Sequence, residues 1–388
     1  MKNTLSFFRW PIWIPLYFSV VIFYSYFPFY SNSNDSKYYA EQVVRAKNAP
    51  LKETFFPKWG TNYWSFSEKD YIKDHFPGHL ILGRFFSELI PSQGAQAAQM
   101  LLQMLFFLLS LVVSCHLFKM NITISFVFIP ITFIYTARAN HEYGLLFFTI
   151  LSLWAVFSFL KSTQHKGLFL CLACVSTMLA FMIKGASALL LPFGHFLFLC
   201  FFKEYKKAFL VSFFTTISLF SMGAIFEQLF HHYTGESFLN FYISSQILQR
   251  SLEANGDISF FSRKLQNLTY YFTRLFLYSL PWSLFLLLNF WKKEERLKIK
   301  EKLTIEQFRL SNFFISYAFS WALIFSYSDR FASRYIFPCF YFLALGSFVQ
   351  LWPFLQRFLS PILFTNHLLT ALTWTLMALS HGFFFLLK

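Results

Sequence analysis

The chain has 388 residues, of which 56% are hydrophobic and only 13% charged, with a mean hydropathy of +0.47. That balance excludes an ordinary water-soluble globule and indicates a polytopic membrane protein. A net charge of +15 raises nucleic acid as a partner, but the basic residues sit in connections between apolar runs and no polar module displays them, so they are read as orientation charges.

In chain order, Lys2 and Arg9 precede an aromatic apolar run at 10–30. It is too long for a signal peptide and lacks a small-residue cleavage site, so a retained helix is expected. Further runs near membrane-spanning length lie at 95–117, 122–136, 143–160, 167–183, 187–202, 208–229, 268–291, 310–327, 336–352 and 366–387. The expectation is an all-α polytopic fold of about 11 transmembrane helices, one domain over 1–388. The spacing of Cys171 and Cys174 is that of a redox motif, but their mid-span setting makes them packing residues.

With the N-terminus in the cytoplasm, Lys119, Lys161, Lys166, the "KEYKK" at 203–207, the basic loop 292–309 and Arg357 all fall inside. This is the positive-inside pattern. Five acids, Glu204, Glu294, Glu295, Glu301 and Glu306, share that side, and the rest of the 18 lie outside or near the outer surface.

Two outer connections are long, 31–94 and 230–267, and long loops on one face collect function. The first holds a predicted helix at 36–48, with Tyr39, Val43 and Val44 on its apolar side, lying flat on the membrane. A second interfacial helix is predicted within 65–91, after Glu68, Asp70, Asp74 and His75. Short outer connections add Arg138, His141 and Glu142, then Lys184, then Asp329, Arg330, Arg334 and Tyr335. A single Arg or Lys at a span end fits snorkelling to headgroups. Several together describe an outer pocket with carboxylates and cations, suited to an anionic substrate and a nucleophile that needs a base.

The order of these features resembles the GT-C superfamily of membrane glycosyltransferases, in its aminoarabinose-transferase and protein O-mannosyltransferase branch. The resemblance rests on an acid-bearing first outer loop with flat helices, then "HFPGHL", "RANHE", "IKG" and "SRYIFP". It implies a GT-C-type fold with interfacial helices in the first outer loop, and inverting transfer of a sugar from a polyprenyl-phosphate donor. The implied acceptor is a glycolipid such as lipid A, a polysaccharide or a protein on the periplasmic face of a bacterial inner membrane.

Carried over by motif, Asp35 stands where the family has its general base, although an Asp before a helix is also a good N-cap. The second acid of many relatives is Ser36 here. His75 begins the stretch that in relatives is His-Pro-Pro or Lys-Pro-Pro, with Phe76 in place of the first proline, and Pro77 and Gly78 bend the chain into a helix. Glu142 replaces the family's Asp, beside Arg138, in a role toward acceptor or sugar. Lys184 with Gly185, and Arg334 with Tyr335, are the phosphate-binding candidates. No cofactor or metal is expected: His75 and His79 are separated by the helix-breaking Pro77–Gly78. The alternative is a lipid or oligosaccharide transporter or flippase, whose marks are midplane charges and paired half-repeats. Here Glu227 and Arg274 are the nearest to midplane charges, and both lie near helix ends.

Overall fold

The computed structural model describes residues 34–58, 70–73, 75–89, 94–120, 122, 125–126, 129–135, 140–248, 260–284, 286, 302–327 and 332–363. Among them the chain is helical, with one isolated antiparallel bridge, Lys58 to Tyr71. The expected spans at 10–30 and 366–387 lie outside the described residues, as do Arg138, Asp329 and Arg330.

The first connection carries three helices: α1 (Asn34–Asn48), α2 (Leu51–Phe55) and α3 (Gly78–Leu89). On α1 the buried side is Tyr39, Ala40, Gln42, Val43 and Ala46, packed on α3 and on α4 (Ala95–Phe118). Val44, expected on that side, is 44% exposed, because a 100° step from Val43 carries it round to the polar face. Arg84 of α3 locks the assembly: its guanidinium donates to the Ala49 carbonyl at 3.1 Å and to Thr54 Oγ1 at 2.6 Å, and its Nε pairs with Glu88 at 3.0 Å.

Next come α5 (Pro130–Tyr135), α6 (Glu142–Lys161), α7 (Lys166–Lys184) and, after a 3-10 turn at Gly185–Leu189, α8 (Leu190–Phe201). They are followed by α9 (Tyr205–Thr234), α10 (Phe238–Phe241) with a π-turn at Tyr242–Leu248, and α11 (Phe260–Tyr278). The last helices are α12 (Ile305–Ser326) and, after a 3-10 turn at Ser333–Ile336, α13 (Phe337–Leu363). Six stretches among the described residues are long and apolar enough to cross a membrane: α4, α6, Lys166–Phe201, α9, α12 and Arg334–Pro353.

The 36-residue stretch Lys166–Phe201 folds back on itself. Lys184 meets Glu142 at one end of α6, Ser152 midway along α6 touches both Thr177 and His195, and Phe157 near the other end packs on Phe198 and Phe202. Thus α7 climbs along α6 and α8 descends, as two separate runs in the sequence predicted. At the far end, Thr304 and Gln307 form a capping box at the start of α12, Gln307 Nε2 reaches the Phe118 carbonyl at 3.1 Å, and Lys161 pairs with Glu306.

Two expected spans differ. The run 122–136 becomes the six-residue α5, because this segment is buried within the protein, where Phe126 packs on Phe107 and Tyr341. Its polar groups are satisfied there: Thr132 Oγ1 bonds the Phe126 carbonyl at 2.7 Å and the Tyr341 hydroxyl at 2.8 Å, and Tyr341 bonds Tyr143 at 2.8 Å. Irregular backbone at membrane depth is tolerated when protein surrounds it. In the run 268–291 the helix starts earlier, at Phe260, and is interrupted after Tyr278, just before Pro281, with helical residues again at 282–284 and 286; 285 and 287–291 lie outside the described residues.

Gly78 is what lets α3 enter the bundle. A Cβ there would lie 2.6 Å from the Met182 carbonyl oxygen, so the start of α3 sits directly on the last turn of α7. Gly78→Ala is therefore expected to force the two backbones apart at a cost of about 1–3 kcal/mol. A lowered thermal unfolding midpoint in detergent checks this, and an unchanged midpoint means that α3 moves freely against α7.

Candidate functional site

The ends of four helices meet at one pole of the bundle. Glu142 opens α6, Lys184 closes α7, Gly78 opens α3, and Arg334 lies in the turn that leads into α13. At their centre Lys184 Nζ donates to Glu142 Oε1 at 2.9 Å and to the Arg334 carbonyl at 2.8 Å. Glu142 Oε2 accepts the His141 backbone N–H at 3.2 Å, so the carboxylate lies at the start of its own helix, where negative charge is favoured. The side chains of Glu142 and Lys184 are 2% and 6% exposed. An ammonium has three N–H donors; two of Lys184's have protein acceptors among the described residues.

Above this pair lies a ring cluster. His141 is 5.0 Å from His79, 5.5 Å from His75 and 5.1 Å from Tyr39, centroid to centroid, and the Tyr39 ring stands edge-on to both His79 and His141. The cluster draws on α1, on the bend before α3, and on the turn before α6. Burial, reinforced by the positive charges of Lys184 and of His79, His75 and Arg334, holds the His141 pKa well below its ordinary value of 6.5. His141 is therefore neutral near pH 7, and its 4.0 Å approach to Glu142 is not an ion pair. Among the described residues no three His, Cys, Asp or Glu are placed to hold a metal ion.

The sequence-predicted residues are distributed as follows. Glu142, Lys184, Arg334 and His75 come together at this pole. Tyr335 joins them through the turn at Ser333–Ile336: its carbonyl accepts from Trp321 Nε1 at 3.2 Å and its ring stacks on Phe325. Glu142, expected to take a role toward acceptor or sugar, has its carboxylate on Lys184 and on the His141 backbone N–H. Asp35 lies in the first turn of α1, one helical turn before Tyr39 and at the same register; its side chain is outside the described residues, as is the whole of Arg138. Sequence reasoning missed Tyr39, His79 and His141 as one group. The four-residue steps from Asp35 to Tyr39 and from His75 to His79 were the available signal. Glu227 and Arg274 are engaged locally: Glu227 Oε2 accepts the Leu239 N–H at 2.7 Å, and Arg274 donates to the Tyr278 hydroxyl at 2.9 Å.

No protein-family model matches the chain, and no curated protein matches its sequence. Solved structures do match. The crystal structure of ArnT from Cupriavidus metallidurans bound to undecaprenyl phosphate aligns over 88% of this chain at a TM-score of 0.63 and 15% identity. The apo form of the same protein aligns over 82% at 0.59 and 13% identity. The chain thus shares the fold of ArnT. It spans about 60% of the length of that protein.

A buried pair that loses one partner leaves an uncompensated charge, costing about 3–5 kcal/mol. Glu142→Gln and Lys184→Met are each expected to lower the thermal midpoint sharply, with the double variant losing clearly less than the two singles combined. Additive losses would mean that the pair is not coupled. For His141 the unfolded chain binds a proton below about pH 6.5 where the native one does not, so native stability falls as the pH drops. Thermal midpoints measured between pH 7.5 and 5.5 should decline, and His141→Gln should flatten that slope.

Proposed function

We propose that this chain is a membrane glycosyltransferase of the GT-C type, moving a sugar from a polyprenyl-phosphate donor to an acceptor on the outer face of a bacterial inner membrane. The observation that carries the reading is the Lys184 ammonium. It is buried and oriented by Glu142 and the Arg334 carbonyl, in a fold shared with a protein crystallised with undecaprenyl phosphate.

In this reading Lys184 and the Arg334 guanidinium face the donor phosphate. Asp35, on the helix that borders the ring cluster, takes the proton of the acceptor hydroxyl as its oxygen attacks the anomeric carbon. The bond from that carbon to the phosphate oxygen breaks, and its electron pair leaves with the polyprenyl phosphate. Charge therefore grows on the phosphate in the transition state, and a fixed cation there lowers the barrier because it needs no reorganisation. Glu142 serves as the positioning residue that holds the ammonium. The His75, His79 and His141 rings with Tyr39 form a packed, partly apolar wall suited to a sugar face. The acceptor class is a glycolipid such as lipid A, a polysaccharide or a protein. Attack from the face opposite the phosphate inverts the anomeric centre, and no metal or other cofactor has a step in this scheme.

The test is transfer of radiolabelled sugar from a panel of polyprenyl-phosphate donors to membrane acceptors, with wild type beside Asp35→Asn. Wild type is expected to transfer label from one donor, and the variant to be slower by about 10²–10⁴-fold. No transfer from any donor overturns the enzymatic reading in favour of a transporter, and equal transfer by both returns Asp35 to a helix cap.

A further inference from the structure

The second long outer connection reaches the turn that carries Lys184. After α9 ends at Thr234 the chain reverses at Gly235, and a short run from Glu236 to Tyr242 is pinned at several points. Glu236 pairs with Lys73 of the first outer connection, whose ammonium also lies over the Phe241 ring at 5.2 Å. Ser237 Oγ accepts the Asn240 N–H at 3.1 Å, and Glu227 holds the Leu239 N–H. The Tyr242 ring stacks on Phe238 with centroids 5.6 Å apart and stands edge-on to Phe76 at 5.2 Å, and Phe76 also packs on Phe181 of α7 at 4.4 Å.

So anchored, the Tyr242 hydroxyl accepts the backbone N–H of Ala186 at 2.8 Å. That amide stands at the start of the 3-10 turn, where a helix supplies no acceptor of its own. Gly185 between Ala186 and Lys184 has φ +47° and ψ −114°, and a Cβ there would collide with the Tyr242 hydroxyl and come within 3.1 Å of the Phe76 ring. The backbone leaving Lys184 is thus set in a left-handed bend by a side chain from a different connection. Lys184 itself is held from the other side by Glu142 and the Arg334 carbonyl.

We infer that Tyr242 is a positioning residue for Lys184: its hydroxyl fixes the Gly185–Ala186 turn and thereby the place from which the ammonium meets the phosphate of a polyprenyl phosphate. The inference rests on the phosphate reading above and assigns a role to the connection at 230–267.

The experiment measures binding of undecaprenyl phosphate to the purified full chain for wild type, Tyr242→Phe, Lys184→Met and the double variant. Tyr242→Phe keeps the ring contacts and removes only the acceptor oxygen. It is expected to weaken binding by about two- to tenfold, the worth of one hydrogen bond, and to leave binding unchanged when added to Lys184→Met. Amide exchange at Ala186 is expected to quicken in Tyr242→Phe. Wild-type affinity in Tyr242→Phe, an equal further loss in the Lys184→Met background, or unaltered exchange at Ala186 overturns the inference while leaving the donor reading intact. Wild type that fails to bind undecaprenyl phosphate overturns the donor reading itself.

Discussion

Everything at the functional pole depends on one constraint: the charges of Glu142 and Lys184 are both out of water, and each is tolerable only because the other is there. Removing an ion from water costs several kcal/mol even after relaxation, and attraction repays this only when the remaining lone pairs and protons are also used. Here they are. Glu142 spends one oxygen on Lys184 and the other on the His141 amide, and Lys184 spends a second proton on the Arg334 carbonyl. Three elements far apart in the chain, the start of α6, the end of α7 and the turn before α13, are brought to one point by this requirement.

Around that point the bundle is held by packing rather than by water's aversion to apolar surface. Between helices in lipid the hydrophobic effect contributes little, so close contact and buried hydrogen bonds decide the arrangement. The abundance of phenylalanine fits this. Phe76 alone bridges Phe181, Phe226, Phe238 and Tyr242, joining the first long connection, α7, α9 and the second long connection. The Thr132–Tyr341–Tyr143 network does the same for α5, α13 and α6 with hydroxyls. A short buried helix thereby stands within the run 122–136, where the sequence placed a short candidate span.

The fold shared with ArnT gives these local facts a setting. Helix ends gather where the connections are long, and the α1 to α3 layer lies over them, fixed by the Arg84 contacts to Ala49 and Thr54.

The sequence by itself determined the class of the molecule and most of its spans, because apolar length is a local property set by the thickness of a bilayer. It also marked α1 and α3 through periodicity, the Pro77–Gly78 bend, and Glu142, Lys184 and Arg334 as charges out of keeping with mere connectors. Only the tertiary structure decided that Glu142 pairs with Lys184, that His75, His79, His141 and Tyr39 form one cluster, and that the Tyr242 hydroxyl meets the Ala186 amide beside Lys184. Apart from His75 and His79, these partners are separated by tens to hundreds of residues. Their meeting follows from how helices pack in three dimensions, which no window along the chain records.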